Sequence, residues 1–215
     1  MVKRLIASAT VFLLAGCATG QFASTVPAAA NREAYAAQSG PRFQHCPKWA
    51  GGSGLLRDGD FHDAPDPQGS YLTYYKGQGF ATAWRVTLRS IDLQGSRPSG
   101  FPCSIDLDGF HVGAIEHAPL RTKPNANYTV TFLFSGNNGG PPEVKTMKVE
   151  AAGQSEMLQW NDSIGGQGTG KYVIETWSFT AHSSLTTLRF ISRDPETKNA
   201  DHGPVVGAVS VTEGT

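Results

Sequence analysis

The side chains best suited to chemistry are carboxylates and histidines in the middle of the chain. Asp106, Asp108 and Glu116 could supply the two carboxyl groups that glycoside hydrolysis requires at a defined separation. His111 and His117, with Glu116 between them, are candidate ligands for a transition metal, although no two histidines have the i, i+4 spacing of a helical zinc site. Neither pattern defines a geometry, so we predict no catalytic residue, no metal and no cofactor, with a glycosidase as the minor alternative.

Two glycine-rich segments resemble catalytic loops but lack a required residue. Segment 165–171 has the glycines and the lysine of a phosphate-binding loop, but Tyr172 stands where that loop needs a Ser or Thr hydroxyl for magnesium. Segment 51–54 places Ser53 between glycines, but Leu55 takes the place of the final glycine of a nucleophile elbow. The sequence therefore favours turns over nucleotide binding or serine hydrolysis.

Aromatic side chains indicate a different activity, the stacking of rings on the apolar faces of a sugar, with polar groups orienting its hydroxyls. Tyr71, Tyr74 and Tyr75 lie on one predicted strand, where Tyr74 and Tyr75 point to opposite faces. Trp84 and Trp177 share the strand parity of apolar neighbours, which predicts that both are core residues. The predicted ligand-binding residues are Tyr74, Arg85, Asn137, Asn138 and Trp160.

The amino terminus has the pattern of a lipoprotein signal peptide, residues 1–16. Two basic residues precede the apolar run 5–14, which closes in Leu13-Leu14-Ala15-Gly16-Cys17. The run is too short to span a bilayer, which takes about 20 apolar residues. We predict that Cys17 is lipidated, since several acyl chains anchor a protein stably in a membrane. Ala18, in place of an aspartate, predicts release to the outer membrane of a bacterial cell envelope.

Composition separates a tether from a domain. The chain has 18 basic and 18 acidic residues, and removal of residues 1–16 leaves 16 basic groups and a net charge of −2. Without a basic excess, we predict no nucleic-acid partner. Residues 17–45 are rich in Ala, Ser, Thr, Gln and Pro and predict a flexible tether, which leaves residues 46–215 as one domain.

The remaining two cysteines, Cys46 and Cys103, form an even pair in an oxidising compartment. We predict that they form a disulfide, which would close a loop of 57 residues. The alternative is a pair of buried free thiols, because the spacing does not show that the two positions are close enough to bridge.

The domain consists of short alternating apolar runs between Gly, Pro, Asn and Asp, which predicts an all-β, jelly-roll-like β-sandwich. In Tyr128–Phe134, for example, the aromatic residues and Val fall on one face and the threonines on the other. The predicted strands are Tyr71–Tyr75, Phe80–Leu93, Ser104–Leu107, Gly113–Glu116, Tyr128–Phe134, Val144–Ala151, Met157–Trp160, Tyr172–Ala181, Thr186–Ser192 and Val205–Val211.

Four segments in order resemble domain-of-unknown-function family 642 and the related bacterial choice-of-anchor C proteins, over about residues 55–213. They are Leu-Leu-Arg-Asp-Gly-Asp-Phe at 55–61, Ser-Ile-Asp-Leu-Asp-Gly at 104–109, Leu-Phe-Ser-Gly-Asn at 133–137, and Gly-Pro-Val-Val-Gly-Ala-Val-Ser-Val at 203–211. The aromatic strand with Trp177 and Phe179 is similar as well. The resemblance implies a galactose-binding-like sandwich, a fold of many carbohydrate-binding modules, and does not by itself establish a ligand.

The sequence departs from these relatives at a calcium site. Related sandwich modules hold a structural calcium between a Glu and an Asp, and this chain has His62 and Gly207 at those positions. An imidazole and a glycine do not replace two carboxylates, so we expect no calcium requirement. The nearby acidic residues are predicted to form a solvated turn: Asp58, Asp60, Asp63 and Asp66.

Two hypotheses of function follow. The first is an envelope-anchored lipoprotein whose non-catalytic domain binds a polysaccharide or cell-envelope glycan. The second is a structural or protein-interaction lipoprotein with the same fold, an envelope protein as its partner and no sugar site. Convergence of Tyr74, Arg85 and Trp160 on one exposed surface would favour the first.

Overall fold

Strands are the only regular elements in the part of the chain that the computed structural model describes, residues 44–95, 102–163, 171–196 and 201–214. The signal peptide, Cys17, most of the tether and segment 165–170 lie outside these residues. Within the described ranges no helix is long and apolar enough to cross a membrane. In chain order the strands are β1 (Tyr71–Tyr75), β2 (Gly79–Ala81), β3 (Trp84–Leu88), β4 (Ser90–Gln94), β5 (Ser104–Asp106), β6 (Ala114–His117), β7 (Leu120–Arg121), β8 (Asn127–Gly136), β9 (Val144–Ala151), β10 (Gln154–Asn161), β11 (Val173–Thr180), β12 (Leu185–Thr186), β13 (Leu188–Ser192) and β14 (Pro204–Glu213).

Two six-stranded sheets enclose one hydrophobic core. Sheet 1 has the order β1-β4-β5-β14-β8-β11, and sheet 2 has the order β10-β9-β13-β6-β3-β2. Strands β7 and β12 form a small additional pair. The predicted all-β, jelly-roll-like sandwich is confirmed.

The core forms where the inner faces of the sheets meet. Phe132 of β8 and Phe190 of β13 lie edge to face across the sandwich, with ring centroids 5.1 Å apart. Burying such a side chain contributes about 1.5–3 kcal/mol, so alternation along each strand decides which face is inside. Trp84 and Trp177 are buried as predicted. The inner residues of β8 and β9 are also those predicted from alternation: Tyr128, Val130, Phe132, Phe134, Met147, Val149 and Ala151.

The predicted single strand Phe80–Leu93 is wrong, because the chain turns twice within it. Ala83 and Arg89 have positive φ angles of 67° and 36°, a backbone conformation incompatible with a continuous strand. The first turn closes the β2–β3 hairpin of sheet 2, and the second sends the chain to β4 in sheet 1. Neither position is a glycine or a proline, so the residue types do not indicate that a strand ends there.

A disulfide between Cys46 and Cys103 connects the start of the described domain to the beginning of β5, with the two Cα atoms 5.7 Å apart. The predicted bond is therefore confirmed, and the alternative of two buried free thiols is wrong. The ordered contacts of the domain begin just before Cys46. The N–H of Asp66 donates to the carbonyl of Gln44, and His45 pairs with Pro65.

Candidate functional site

Three exposed aromatic rings lie on the outer face of sheet 1, along or beside its edge strand β1. Tyr71 is 58% exposed and Tyr75 44%, and both side chains point outward because alternate residues of a strand share a face. Phe110, in the loop after β5, is 61% exposed. Its ring stacks on that of Tyr75, with centroids 6.5 Å apart and planes 13° apart. We refer to these three residues as the ring patch.

The position of Phe110 is set by hydrogen bonds between its loop and β4. The N–H of Gly109 donates to the carbonyl of Ser90, and the N–H of His111 donates to Ser90 Oγ at 3.2 Å. Ser90 is the register partner of Tyr75 in the adjacent strand. The loop is therefore fixed beside Tyr75, so the two rings are brought together by the backbone.

Polar groups adjoin the ring patch on the same face. Thr73, between the two tyrosines, donates its hydroxyl to Asp92 Oδ1 at 2.6 Å. Burial raises the pKa of the Asp92 carboxyl; the neighbouring Asp201 carboxylate adds to this rise and His202 opposes it. Exposed rings beside hydroxyl, carboxyl and imidazole groups form a surface that can stack on a sugar and bind its hydroxyls.

Asp106 stabilises the loops at this end of the sandwich. Its carboxylate is fully buried and accepts hydrogen bonds from Asn137 Nδ2 at 2.7 Å and from the backbone N–H groups of Asp108 and Gly203. Burial raises the pKa of Asp106 well above its usual range, and the Asn137 amide opposes that rise. The predicted binding residue Asn137 thus ties its loop to β5, while Asn138 is exposed in the same loop.

The expectation that Trp160 projects over a groove is wrong. Its ring is only 8% exposed and packs edge to face on Phe134 inside the sandwich. Tyr74 points inward and packs against Phe80, so Tyr75 is the outward member of the tyrosine pair. Neither Trp160 nor Tyr74 presents a ring for stacking, because the space beside each strand is filled by core residues.

Arg85 lies on the other sheet, on its outer face. Its Nε donates to Glu116 Oε1 at 3.0 Å, and Glu116 also pairs with Arg189 of β13. Arg189 pairs in turn with Glu150 of β9. Arg85 therefore begins a row of alternating charges across sheet 2. Tyr74, Arg85 and Trp160 do not converge on one exposed surface.

The candidate catalytic and metal-binding residues are not brought together either. Asp106 is in sheet 1, whereas Glu116 is on the outer face of sheet 2. His117 points into the core against Trp84, while His111 is exposed in the loop before β6. The structure thus supports neither the carboxyl pair nor the histidine cluster that the spacing suggested.

The acidic turn at 58–66 is largely buried, which corrects the expectation of a solvated turn. The carboxylate of Asp58 accepts hydrogen bonds from the N–H groups of Asp63 and Thr82. His62 Nδ1 lies 2.8 Å from Asp58 and 2.7 Å from Asp60, and the hydrogen bond with Asp60 raises the pKa of the imidazole. Donor atoms of Asp58, His62 and Asp63 are close enough together to hold a metal ion. A Cβ added at Gly207 would first meet Ser104 and the carbonyl of Cys103, so this position offers no side-chain ligand to the turn.

A shallow pocket of about 280 Å³ lies away from the ring patch, beside the β9–β10 hairpin and the loop after β11. Glu150, Arg189 and His182 line it, together with exposed Leu185. No aromatic ring of Tyr, Trp or Phe lines this pocket, so it lacks the stacking surface that the ring patch offers.

Phe110 was missed in the sequence because its signal is weak. It stands between Gly109 and His111, in a turn where an apolar ring has no alternating neighbours to assign it to a core. The one feature that indicates exposure is that a large apolar residue stands in a turn and not in a strand.

The described molecule is thus an all-β sandwich with an exposed aromatic surface at one sheet edge. The family described as "Protein of unknown function (DUF642)" matches residues 54–212, and the chain belongs to this family. No match was found among curated proteins.

Several solved structures are similar at low identity. The Clostridium thermocellum family 35 carbohydrate-binding module is 12% identical, with a TM-score of 0.43 over 66% of this chain and 97% of that one. A TmCBM61 structure in complex with beta-1,4-galactotriose is 13% identical, with a TM-score of 0.43 over 76% of this chain and 100% of that one. The EclA C-terminal domain, a sugar-binding protein, is 13% identical, with a TM-score of 0.37; the match covers 45% of this chain and 64% of that domain.

Proposed function

We propose that this domain binds an extended polysaccharide through the ring patch and does not hydrolyse it. The observation that carries the proposal is the set of three exposed rings on one sheet face, two of them stacked, beside the Thr73 and Asp92 side chains. Tyr71 and Tyr75 are four residues apart, which corresponds to about 13 Å along a strand. A ligand that contacts both rings must therefore be longer than one sugar unit.

Stacking on an open face leaves much of the ligand in water. The dissociation constant is accordingly expected between micromolar and millimolar, roughly −8 to −4 kcal/mol. Each ring replaces water on an apolar sugar face, and no neighbouring side chain can supply the same contact. Loss of one ring should cost about 1–3 kcal/mol.

The test is the substitution Tyr75→Ala, measured by calorimetry against polysaccharides that a glycan array identifies. We expect about a tenfold or greater loss of affinity, because the change removes one ring and the stacking partner of Phe110. Ile174→Ala is the matched control, since Ile174 is 69% exposed at the opposite edge of the same sheet. Equal affinities in the wild type and Y75A would contradict the proposal.

Two other outcomes select the alternatives. If neither array nor calorimetry detects binding to cell-wall, capsular or plant polysaccharides, the structural or protein-interaction hypothesis replaces this one. If reducing ends accumulate during incubation and the Asp106→Asn variant abolishes them without loss of fold, the domain is a glycosidase.

The proposal includes the lipid anchor predicted from the end of the signal peptide, residues 13–17. Cys17 carries the lipid that holds the domain at the bacterial outer membrane. Treatment with globomycin, or the substitution Cys17→Ser, is expected to cause the uncleaved precursor to accumulate. Mass spectrometry of the mature protein should show acyl chains on Cys17. A mature protein of normal length without acyl chains would rule out the anchor and leave the sugar-binding proposal untouched.

A further inference from the structure

One lysine, Lys145 in strand β9, is fully buried at the end of the sandwich. Its Nζ donates a hydrogen bond to the carbonyl of Gly140 at 2.6 Å and lies 3.6 Å from Asp162 Oδ2. Lys145 is the register partner of Trp160 in β10, and Asp162 follows that strand. Adjacent strands therefore hold the amine and the carboxyl group side by side.

The surroundings of this pair are tightly packed. The ring of Trp160 packs on Phe134 beside them. A Cβ added at Gly136 would lie 2.8 Å from both Asp162 Oδ1 and Lys145 Cγ, and 2.4 Å from the Trp160 ring. Only a glycine at position 136 leaves room for the lysine and the carboxyl group to approach each other. Lys145 is thus fully enclosed, and the Asp162 side chain is 14% exposed.

A second pair of carboxyl groups lies nearby. Asp108 is fully buried, and its carboxyl group interacts with the side chains of Ser192 and Asp194. Burial raises the pKa of Asp108 to about 7; the Asp194 carboxylate adds to this rise and the Lys145 ammonium opposes it. Asp194 also faces Lys145, and its carboxylate accepts a hydrogen bond from the N–H of Thr146, the next residue of β9. Among the described residues Lys145 thus faces three carboxyl groups, and Asp162 is the one that lies within 4 Å of its Nζ.

We propose that Lys145 and Asp162 condense to an intramolecular isopeptide bond in the folded domain. Lys145 first transfers one proton to Asp162, which makes both groups neutral. The amine nitrogen then attacks Asp162 Cγ, the bond from Cγ to the hydroxyl oxygen breaks, and that oxygen leaves as water with a second proton from the nitrogen. The reaction needs no oxidant, reductant or co-reactant.

The energetics of burial favour this product. A buried ion pair loses the hydration of two charges, which its mutual attraction offsets only when the geometry is good and the remaining oxygens are hydrogen bonded. Here the N–O separation is 3.6 Å, which is longer than a good charge-assisted hydrogen bond. An amide is uncharged, so condensation removes both buried charges. The fixed separation of the groups supplies the proximity that an uncatalysed condensation lacks.

Peptide mapping of the full-length protein tests the bond. After denaturation and reduction, cleavage on the carboxyl side of glutamates should release segment 144–150 joined to segment 157–175, with a mass one water below the sum of the two peptides. Segment 151–156 separates them in sequence, so no linear peptide has this composition. Recovery of the two segments only as separate peptides from folded protein would overturn the proposal.

Variants distinguish a covalent bond from an ion pair. Asp162→Asn should give the same joined peptide, because an amide can condense with the amine by losing ammonia, whereas Asp162→Ala should give none. Lys148→Arg is the matched control: it alters the ion pair with Glu150 and should retain the joined peptide. A joined peptide in D162A would refute the assignment to Asp162.

Discussion

The double variant C46A/C103A is expected to lose about 4 kcal/mol of unfolding free energy, because the chain-entropy model gives that value for a loop of this size. The bond closes a loop of 57 residues. This loop includes β1, which carries two residues of the ring patch, and strands β2, β3 and β4. Urea unfolding of the wild type and the variant measures the difference. With a urea m-value of about 2 kcal/mol per molar, the midpoint should fall by about 2 M.

A control separates the cross-link from the sulfur atoms. Both cysteines are buried, so alanine also removes packing contacts. Wild-type protein reduced before unfolding keeps the sulfur atoms and lacks the bond, and it should lose most of the same stability. If the reduced wild type unfolds at the midpoint of the oxidised protein, the loop closure contributes little, and any loss in C46A/C103A is due to packing.

Strands with one buried face were predictable because their signal is local. β1 and β9 have the bounds predicted from alternation, since every second residue of such a strand meets the same core. The turns at Ala83 and Arg89 were not predictable, because they require neither glycine nor proline at those positions. Their conformation follows from the sheet to which each flanking strand belongs, and this is decided by contacts distant in sequence.

The candidate site was less predictable than the fold for a related reason. Parity assigns Tyr74 and Tyr75 to opposite faces but does not say which face is the core. A ring at a strand end, such as Trp160, is exposed or buried according to the loops that cover it, and here Phe134 and Gly136 lie against it. Exposure is therefore a property of the packed sheets, whereas alternation is a property of one segment.

The burial of Lys145 could have been predicted from the sequence. Lys145 has the same parity as Met147, Val149 and Ala151, which alternation places on the inner face of β9. A lysine in such a register must find acceptors inside the protein, since an unpaired buried charge is strongly unfavourable. Its partner Asp162 follows the next strand, but the sequence alone does not show that Asp108 and Asp194 join them.

The carboxyl group of Asp108 should make the stability of the domain fall as the pH rises from about 4 to about 7. Burial raises its pKa in the folded protein to about 7, compared with 3.8 for the ordinary group. Between these values the folded state binds a proton that the unfolded state has released, so stability decreases with increasing pH. The contribution is fully present below the unfolded pKa and is lost as the pH passes through the folded pKa. One proton accounts for at most about 1.4 kcal/mol per pH unit.

The variant Asp108→Asn isolates this effect, because an amide of nearly the same shape does not titrate. Urea unfolding at several pH values between about 4 and about 7 should give a flatter profile for D108N than for the wild type, with a difference of a few kcal/mol across the range. Burial also raises the pKa of Asp106, which contributes a slope of the same sign to both proteins. Asp194 interacts with Asp108, so the difference between the profiles reports on this pair of carboxyl groups. Glu156→Gln, which changes an exposed carboxyl group on β10, is the control and should retain the wild-type profile. Parallel profiles for D108N and the wild type would show that Asp108 binds no additional proton in the folded domain.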